Sequence, residues 1–576
     1  MQSLQQDQAS VPVTDLTAPG GPYELGVAEI GGTPLTVFVN APANLRALYR
    51  EPLTDAADQD FYVFEDERVG FVGAWSKAQQ VAASLSAMGV GKGDRVGISM
   101  RNYPEWIFCF MGITSLGAIA VAMNAWWSGE EMLYGIEDSG LTTLFVDRER
   151  LEHLSPYLDE QDLNVIAVRT EHTSGRGVMS WGSFMGVAGG LAPEPDIAPD
   201  DDAMLLYTSG STAHPKGVVS THRAIIHAVL GWEAAGALRR AASGRTPRAQ
   251  PYPPATILTV PLFHVTGLNV QLLASFRQRR KLVGMYKWDA EKALAIIERE
   301  RITQFNGVPT MAWEMVNCPN FDRYDTSSLK SMGGGGAAMA PEHSRQISRR
   351  TKGSVSPGAG YGMTETNGLA TNTSGRELLE RPTSCGRPLA PLVEIKIVGP
   401  EGNTLGAGET GEIWIRGAMN FSRYWNRPDD TAATLTEGWV HTGDIGHVDG
   451  DGYIYITDRA KDLVIRGGEN VGCQEVEAVI YEHPKVAECA VFGVPHPRLG
   501  ETVAAVVMVK PGAVLTAGDV QSHVAEHMAR FKVPEHVWMR SHSLPRTASG
   551  KIFKRGLREA AIAALSRGDA NAELAV

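Results

Sequence analysis

The sequence contains few cysteines, and none of them form a closely spaced pair. Five cysteines are scattered over 576 residues, with no CxxC pair among them. A disulfide framework needs an even set of cysteines at short spacings, and a cysteine-based zinc site needs two of them within a few residues. A disulfide-stabilised scaffold and a zinc cluster of this kind are therefore excluded, and the expected compartment is the reducing cytoplasm.

Positive charge is also in deficit. The chain has 53 Lys and Arg against 65 Asp and Glu, which gives a formal net charge of −12. An acidic surface repels the phosphate backbone, so we expect no nucleic-acid partner. With 43% hydrophobic residues the chain has enough apolar mass for a large core, which excludes intrinsic disorder for most of it.

Long apolar segments are scarce. Residues 1–21 lack a basic region followed by an apolar one, so we expect no signal peptide. The uncharged run 106–123 reaches the length of a membrane span, but it contains polar residues and a central glycine. It is better explained by a helix over about 104–116, a stop at Gly117 and a buried strand at 118–123.

Short β-branched runs alternate with amphipathic segments over the first 400 residues. Strands are predicted at 95–100, 118–123, 143–146, 164–168, 256–260 and 281–284, and helices at 76–88 and 290–300. Such alternation is typical of parallel sheets covered by helices, so the predicted fold class is α/β.

The pattern changes near residue 460. Strands are predicted at 486–493 and 502–510, and a helix at 516–530 with Thr516 as its N-cap. We therefore predict two domains, residues 1–460 and residues 461–576.

The strongest local signal is the segment 205–219, LLYTSGSTAHPKGVV. It places Thr208, Ser209, Gly210, Ser211 and Thr212 in a hydroxyl-rich turn shortly before Lys216. Hydroxyls, flexible backbone N–H groups and a mobile cation suit a polyphosphate. The segment is not a Walker A loop, because Pro215 stands where that motif needs glycine.

A second glycine-rich segment, 358–366, reads GAGYGMTET. It does not fit the dinucleotide fingerprint, since Met363 stands where the third glycine belongs. An aromatic ring at Tyr361, a hydroxyl at Thr364 and a carboxylate at Glu365 can instead serve a base, a phosphate and Mg²⁺. Upstream, the GGGGAA run at 333–338 lets backbone approach a ligand closely.

Two further segments complete the set. The first runs from GWVHTGD at 438–444 to YIYITDRAKDLVIRGGEN at 453–470, where Asp444 and Arg459 could hold ribose hydroxyls. The second is LPRTASGKIFKR at 544–555, which carries Lys551 in a Gly/Ser turn.

Taken in order, the four segments resemble the adenylate-forming superfamily, and most closely its acyl-CoA synthetase branch, over about residues 45–555. The resemblance implies a large N-terminal domain of parallel and mixed sheets with a β-barrel-like subdomain, followed by a small, mobile α/β C-terminal domain. It implies ATP, Mg²⁺ and coenzyme A as cofactors and a small carboxylic acid as the substrate. The implied reaction makes an acyl-adenylate and pyrophosphate, then an acyl-CoA thioester and AMP.

The resemblance also implies residue roles. The residues implied to bind the ATP phosphates are Thr208, Ser209, Gly210, Ser211, Thr212 and Lys216. Those implied to bind the adenosine are Gly335, Gly336, Ala337, Gly360, Tyr361, Gly362, Met363, Asp444 and Arg459. Gly467 and Gly468 are further cofactor-binding positions, and Lys461 is the hinge of the small domain. The implied catalytic residues are Lys551, Thr364, Glu365, which is also the metal ligand, and His264, which lies near the acyl carboxylate. Ala213 departs from the glycine usual in the phosphate loop.

Several alternatives stay open. We favour a medium- or long-chain fatty acid as substrate, with an aryl or polycyclic acid as the alternative. Only 25 residues follow Lys551, so free CoA is the expected acceptor, and a carrier protein in trans is the rival. A luciferase-like oxygenase and a non-catalytic nucleotide sensor are the other classes on this fold.

Two surface features carry weaker signals. The basic, Pro-rich run 239–254, with Arg277, Arg279, Arg280 and Lys281, forms a positive patch, from which we hypothesise weak peripheral membrane contact. His523 and His527 match a metalloprotease pattern, but a polar helix face explains them better. No oligomeric state is predicted.

Overall fold

The computed structural model describes residues 13–55, 59–171, 173–208, 215–243, 251–459, 462–467, 469–567 and 574. Within these ranges the chain forms five β-sheets and the helices that cover them. The α-helices are Val13–Thr17, Leu45–Arg50, Phe71–Ala87, Pro104–Ser115, Gly129–Ser139, Arg148–Leu154, Trp181–Met185, His222–Ala242, Ala274–Arg277, Ala290–Glu300, Pro309–Val316, Pro341–Arg350, Arg376–Glu380, Pro428–Thr434, Cys473–Glu482, Ala517–His527 and Lys554–Ser566.

Shorter helical turns connect these elements. The 3₁₀ turns are Glu51–Asp55, Ser155–Glu160, Phe321–Arg323, Thr364–Thr366 and Arg530–Lys532, and a π-helix spans Thr266–Leu273.

The first large sheet has eight strands. In spatial order they are Arg423–Tyr424, Lys216–Thr221, Asp202–Thr208, Ile119–Ala122, Arg95–Ser99, Thr143–Asp147, Asn164–Val168 and Val178–Ser180. The six strands from Asp202–Thr208 onward are parallel, and the first two are antiparallel. The predicted parallel sheet is therefore confirmed, with an antiparallel edge.

The second large sheet has nine strands. In spatial order they are Arg387–Pro388, Thr371–Ser374, Ser356–Tyr361, Ser331–Gly335, Gln304–Gly307, Ala255–Leu258, Lys281–Gly284, Asp60–Phe64 and Glu67–Gly70. Its six central strands are parallel. Ligands commonly bind beyond the carboxyl ends of such strands, and the glycine-rich segments lie at those ends here.

A third, antiparallel sheet follows. It comprises Glu394–Val398, Gly411–Arg416, Trp439–Val448, Leu435–Thr436 and Ile454–Arg459. It occupies the position in the chain where a β-barrel-like subdomain is expected.

The C-terminal residues form a separate unit with its own sheet. The strands are Glu469–Val471, Val464–Arg466, Gly500–Val509, Val486–His496 and His536–Arg540. Apolar residues on both faces of this sheet pack under the last three α-helices, which gives the unit its own core.

An N-terminal hairpin, Leu25–Ile30 with Thr33–Phe38, is absent from the sequence-based expectations. Gly31 and Gly32 both have positive φ, which is the requirement of a tight hairpin turn. Two glycines between β-branched runs are the signal that could have revealed it.

The uncharged run 106–123 is internal. A helix Pro104–Ser115 is followed by Gly117 at φ 73° and by strand Ile119–Ala122, as the sequence predicts. Trp106 and Phe110 are fully buried in the core. Across the described ranges, the structure contains no helix long and apolar enough to cross a membrane.

Two helix boundaries differ from prediction. The helix predicted at 76–88 begins at Phe71, where Gly70 serves as an N-cap without a side-chain hydrogen bond and so leaves no sequence signal. The helix predicted at 516–530 ends at His527, because Met528 turns to extended backbone before a separate 3₁₀ turn. Thr516 caps that helix, as predicted.

Candidate active site

The glycines of strand Ser331–Gly335 allow unusually close packing against the neighbouring strands. A Cβ at Gly335 would lie 2.7 Å from the Gly360 carbonyl oxygen, and one at Gly334 would lie 1.6 Å from that of Gly307. Such distances exclude any side chain. Glycine at these two positions therefore serves close packing of the strands.

The C-terminal unit approaches the end of strand Ser331–Gly335. Gly336, at φ 82°, follows the strand, and a Cβ there would lie 3.2 Å from Cε of Lys551. Ala337 comes next and is exposed. The structure thus brings the GGGGAA run and Lys551 together, as the resemblance implies.

Tyr361, Asp444 and Arg459 form a connected group. The Tyr361 hydroxyl donates a 2.6 Å hydrogen bond to Oδ2 of Asp444, and Nε of Arg459 lies 3.1 Å from Oδ1. Asp444 and Arg459 are register partners on adjacent antiparallel strands, which fixes their side chains on one face. Burial, followed by the charge of Asp444, raises the pKa of Tyr361.

The segment after Tyr361 places a carboxyl group in the protein interior. Glu365 lies in the 3₁₀ turn that begins at Thr364, and it is only 7% exposed. Its Oε1 accepts a 2.7 Å hydrogen bond from the Tyr424 hydroxyl. Burial raises the pKa of Glu365, because removal from water disfavours the charged form, while the hydrogen bond from Tyr424 acts in the opposite direction. Met363, just before the turn, donates its backbone N–H to Thr366.

The hydroxyl-rich loop begins and ends beside this carboxyl group. Thr208 and Lys216 are register partners at the ends of two antiparallel strands, so the loop leaves and returns at one point. Nζ of Lys216 lies 2.6 Å from Oδ1 of Asp430 and 5.1 Å from the Tyr424 ring. Lys216 and Glu365 thus share Tyr424 as a neighbour.

Some predicted residues lie outside the described ranges. They are Ser209, Gly210, Ser211, Thr212, Lys461 and Gly468, together with Ala213.

Lys551 sits in a tight turn of the C-terminal unit. The Thr547 N–H donates to the Lys551 carbonyl at 2.7 Å, and Gly550 has a φ of 84°. Burial, and then the charge of Arg459, lowers the pKa of Lys551 to about 8, while Asp444 acts in the opposite direction. Half-buried ammonium groups with a lowered pKa are typical of functional sites.

His264 also lies in this region. Burial, and then the positive charge of Lys551, lowers the pKa of His264 to about 3, so the imidazole is neutral at physiological pH. Its Nδ1 accepts a hydrogen bond from the Thr266 N–H at 3.3 Å, just before the π-helix Thr266–Leu273. A neutral imidazole can orient a carboxylate without binding it as an ion.

For two glycines predicted to bind the cofactor, the structure shows contacts with the protein backbone. Gly467 turns between two short strands of the C-terminal sheet and donates its N–H to the Leu499 carbonyl at 2.8 Å. The structure therefore does not group it with Tyr361 and Asp444. A Cβ at Gly362 would lie 2.7 Å from the Gly368 backbone, so glycine is required there by packing.

Sequence reasoning missed Tyr424 and Asp430. Both lie far along the chain from the residues they contact, 59 residues from Glu365 and 214 residues from Lys216. No local motif marks them, so only the tertiary contacts reveal them.

Two cations of the basic patch form ion pairs within the protein, and a third is buried. Arg277 pairs with Glu51 at 2.6 Å, and Lys281 with Glu300 at 2.9 Å. Arg280 is buried and donates to Gln304. Part of the Pro-rich run, residues 244–250, lies outside the described ranges, so membrane contact stays a prediction.

The chain is similar to known proteins in both its sequence and its fold. The AMP-binding enzyme family matches residues 50–425, and the AMP-binding enzyme C-terminal domain matches residues 475–551. A long-chain-fatty-acid–CoA ligase of Mycobacterium tuberculosis (strain ATCC 25618 / H37Rv) is 32% identical over 500 residues, covering 86% of this chain and 93% of the relative. A feruloyl-CoA synthase of Amycolatopsis sp is 32% identical over 482 residues, covering 84% and 92%.

A solved structure shares the fold. The anthranilate CoA ligase AuaEII in complex with anthranoyl-AMP superposes with a TM-score of 0.82 at 26% identity, covering 92% of this chain and 99% of that one. The family match spans well over half of the chain, and the curated relatives are CoA ligases. The chain therefore belongs to the AMP-binding enzyme family and is an AMP-forming acyl-CoA synthetase.

Proposed function

We propose that this protein is an ATP-dependent ligase that joins a medium- or long-chain fatty acid to CoA through an acyl-adenylate. The observation that carries the site assignment is the position of Lys551. Its side chain is half-buried beside Gly336, within the electrostatic influence of Arg459 and Asp444. A cation at this point can bridge a substrate carboxylate and the α-phosphate.

The nucleotide would be held by residues of the N-terminal unit. Asp444 and Arg459 would bind the ribose, Tyr361 would pack on adenine, and Thr364 would contact the α-phosphate. Lys216 would move from Asp430 to the β- and γ-phosphates, drawn by their larger charge.

Glu365 fits the role of a magnesium ligand. Its carboxyl group is buried, its pKa is raised by that burial, and only its Oε1 is engaged by Tyr424 among the hydrogen bonds described. A divalent cation would supply the counter-charge that favours the ionised form. When bound, Mg²⁺ would supply positive charge to the phosphate oxygens.

The first half-reaction joins two anions, so charge neutralisation dominates its barrier. A carboxylate oxygen attacks the α-phosphorus, and the bond to pyrophosphate breaks, with pyrophosphate taking the electron pair. Lys551 would stabilise the negative charge that builds up between carboxylate and phosphate. His264, neutral in this site, would orient the carboxylate.

In the second half-reaction the CoA sulfur attacks the acyl carbon, and the bond to AMP breaks. Lys551 would have to leave for the thiol to enter. We therefore propose that residues 461–576 rotate as a domain about Lys461, as expected from the sequence. A closed first step also keeps water from the adenylate.

A fatty acid is the favoured substrate because a relative that is 32% identical over 500 residues carries long-chain-fatty-acid–CoA ligase activity in its name. An aryl acid is the second candidate, supported by the feruloyl-CoA synthase relative and by the anthranilate ligase that shares the fold. CoA is the proposed acceptor, and a carrier protein in trans is the alternative.

The test is pyrophosphate release with ATP and Mg²⁺ across a panel of fatty and aryl acids, with and without CoA. The proposal predicts turnover that requires CoA and is fastest with fatty acids of medium or long chain. If turnover were fastest with an aryl acid, aryl acids would replace fatty acids as the proposed substrate class. Adenylate formation without thioester formation would point to a carrier protein.

A further inference from the structure

One helix of the N-terminal unit, Pro309–Val316, contacts the turn that carries Lys551. We call it the docking helix. It follows strand Gln304–Gly307 of the nine-stranded sheet directly, so its position is fixed by that sheet. A Cβ on Gly550 would lie 3.0 Å from Cε of Met311 and 3.1 Å from Cγ2 of Val308. The turn therefore rests on the first residues of the docking helix with no side chain between them.

Arg546 connects this turn to both units of the protein. Its Nη1 donates to the Gly550 carbonyl at 3.1 Å, one residue before Lys551. Its Nη2 lies 2.8 Å from Oε1 of Glu314 on the docking helix and 2.6 Å from Oε1 of Glu488 in the C-terminal unit. One guanidinium group thus ties the turn to its own unit and to the opposite one.

The contact between Arg546 and Glu314 is built so that it can separate. Without Arg546, Glu314 keeps the hydrogen bond that the Trp288 indole N–H donates to Oε2 at 2.5 Å. Without Glu314, Arg546 keeps Glu488, whose other oxygen accepts the Leu544 N–H at 2.9 Å. Each charge retains a partner within its own unit, so breaking the contact exposes no orphaned buried group.

A second interdomain ion pair provides a contrast. Arg345 lies 3.4 Å from Glu482, and both side chains are more than a third exposed. In the Glu314 pair the two side chains are 32% and 21% exposed. Exposed ion pairs contribute little to the free energy that holds two units together. Among the described residues, neither Arg345 nor Glu482 contacts the turn that carries Lys551.

We propose that Glu314 is a positioning residue for the first half-reaction: through Arg546 it holds the Gly550–Lys551 turn in the site during adenylate formation, and it releases the turn for thioester formation. The inference rests on the proposed role of Lys551. It assigns to Glu314 no contact with substrate, only an effect on where Lys551 stands.

The proposal predicts a split between the two half-reactions. Replacing Glu314 with Gln keeps the size of the side chain but removes the charge that attracts Arg546. Adenylate formation, measured as single-turnover pyrophosphate release, should fall roughly 10- to 100-fold, the range for loss of a charge-assisted hydrogen bond. Thioester formation from supplied acyl-adenylate and CoA should stay within about twofold or rise.

The matched control is Glu482→Gln, which removes the exposed interdomain pair with Arg345. Its adenylate formation should change by less than about twofold. An equal loss in both variants would overturn the proposal, because any weakening of domain contact would then be enough. Equal losses in both half-reactions of Glu314→Gln would also overturn it. Thioester formation by the same preparation verifies that the variant is folded.

A double-mutant cycle with Lys551→Ala separates this inference from the function on which it rests. If Glu314 acts only through Lys551, adding Glu314→Gln to Lys551→Ala should lower adenylate formation no further. Independent, multiplying losses would overturn the positioning role while leaving that of Lys551 intact. An unimpaired Lys551→Ala variant would overturn the proposed role of Lys551 itself.

Discussion

The proposed active site combines two regions that are held in different ways. In the proposed nucleotide corner, the Asp444 carboxylate contacts Tyr361 of the nine-stranded sheet and Arg459 on the adjacent strand of the third sheet. The Lys551 turn belongs to another unit and meets the site through the docking helix. The first region is preorganised by side-chain contacts between two sheets of the N-terminal unit, whereas the position of the second depends on how the two units dock. The corner should therefore govern binding, and the turn should govern one chemical step.

The largest effect is expected from removing the cation. Lys551→Ala should lower adenylate formation by about 100- to 1,000-fold, because charge that develops on the phosphate loses its stabilising partner. Pyrophosphate release in a single turnover measures this. Thioester formation from supplied acyl-adenylate should stay within about threefold, and a parallel loss there would contradict the division between the two regions.

Asp444→Asn tests the corner. The amide cannot accept from both Tyr361 and Arg459, so ATP affinity should fall roughly 10- to 100-fold and the free energy of unfolding by about 1–3 kcal/mol. Isothermal titration and chemical denaturation measure these quantities. Glu152→Gln, which breaks an ion pair with Arg148 in which both side chains are more than half exposed, is the control and should change the free energy of unfolding by less than about 0.5 kcal/mol. If the Asp444→Asn variant bound ATP with unchanged affinity, the proposed role of Asp444 in binding the ribose would be wrong.

The pH profile probes the turn in the unmodified protein. Lys551 has a pKa lowered to about 8, so it loses its charge as the pH rises through that value. The kcat/KM for ATP, which reports the free enzyme, should then fall about tenfold per pH unit on the alkaline side. Lys551→Arg should lose this decline, since guanidinium stays protonated. A decline that persists in that variant must come from another group.

The smallest effect is expected at the base of the phosphate loop. Asp430→Asn would free Lys216 from its 2.6 Å ion pair, and ATP would no longer have to compete for it. The KM for ATP should fall about two- to fivefold, the size of a partly exposed pair. Steady-state kinetics measure it. A higher KM would mean that Asp430 positions Lys216 rather than restraining it.

Much of the fold follows from local patterns. The strands at Asn164–Val168 and Lys281–Gly284 and the helix Ala290–Glu300 have the predicted boundaries, because alternation and capping are set by near neighbours. The start of helix Phe71–Ala87 was not predicted, since its glycine cap carries no side-chain signal. The hairpin Leu25–Ile30 with Thr33–Phe38 was missed despite its paired glycines.

For the site, the sequence by itself determined which residue types occur and in what order. The hydroxyl-rich loop, the GYGMTET turn and the turn that carries Lys551 each lie within a short stretch of sequence. Such motifs can therefore be recognised without knowledge of the fold. Family membership follows from that order. Only the tertiary structure decided which groups meet: Tyr424 with Glu365, Lys216 with Asp430, and Arg546 with Glu314 across 232 residues. The reason is physical: hydrogen bonds and ion pairs form between groups a few ångströms apart in space, and packing of sheets and units sets those distances.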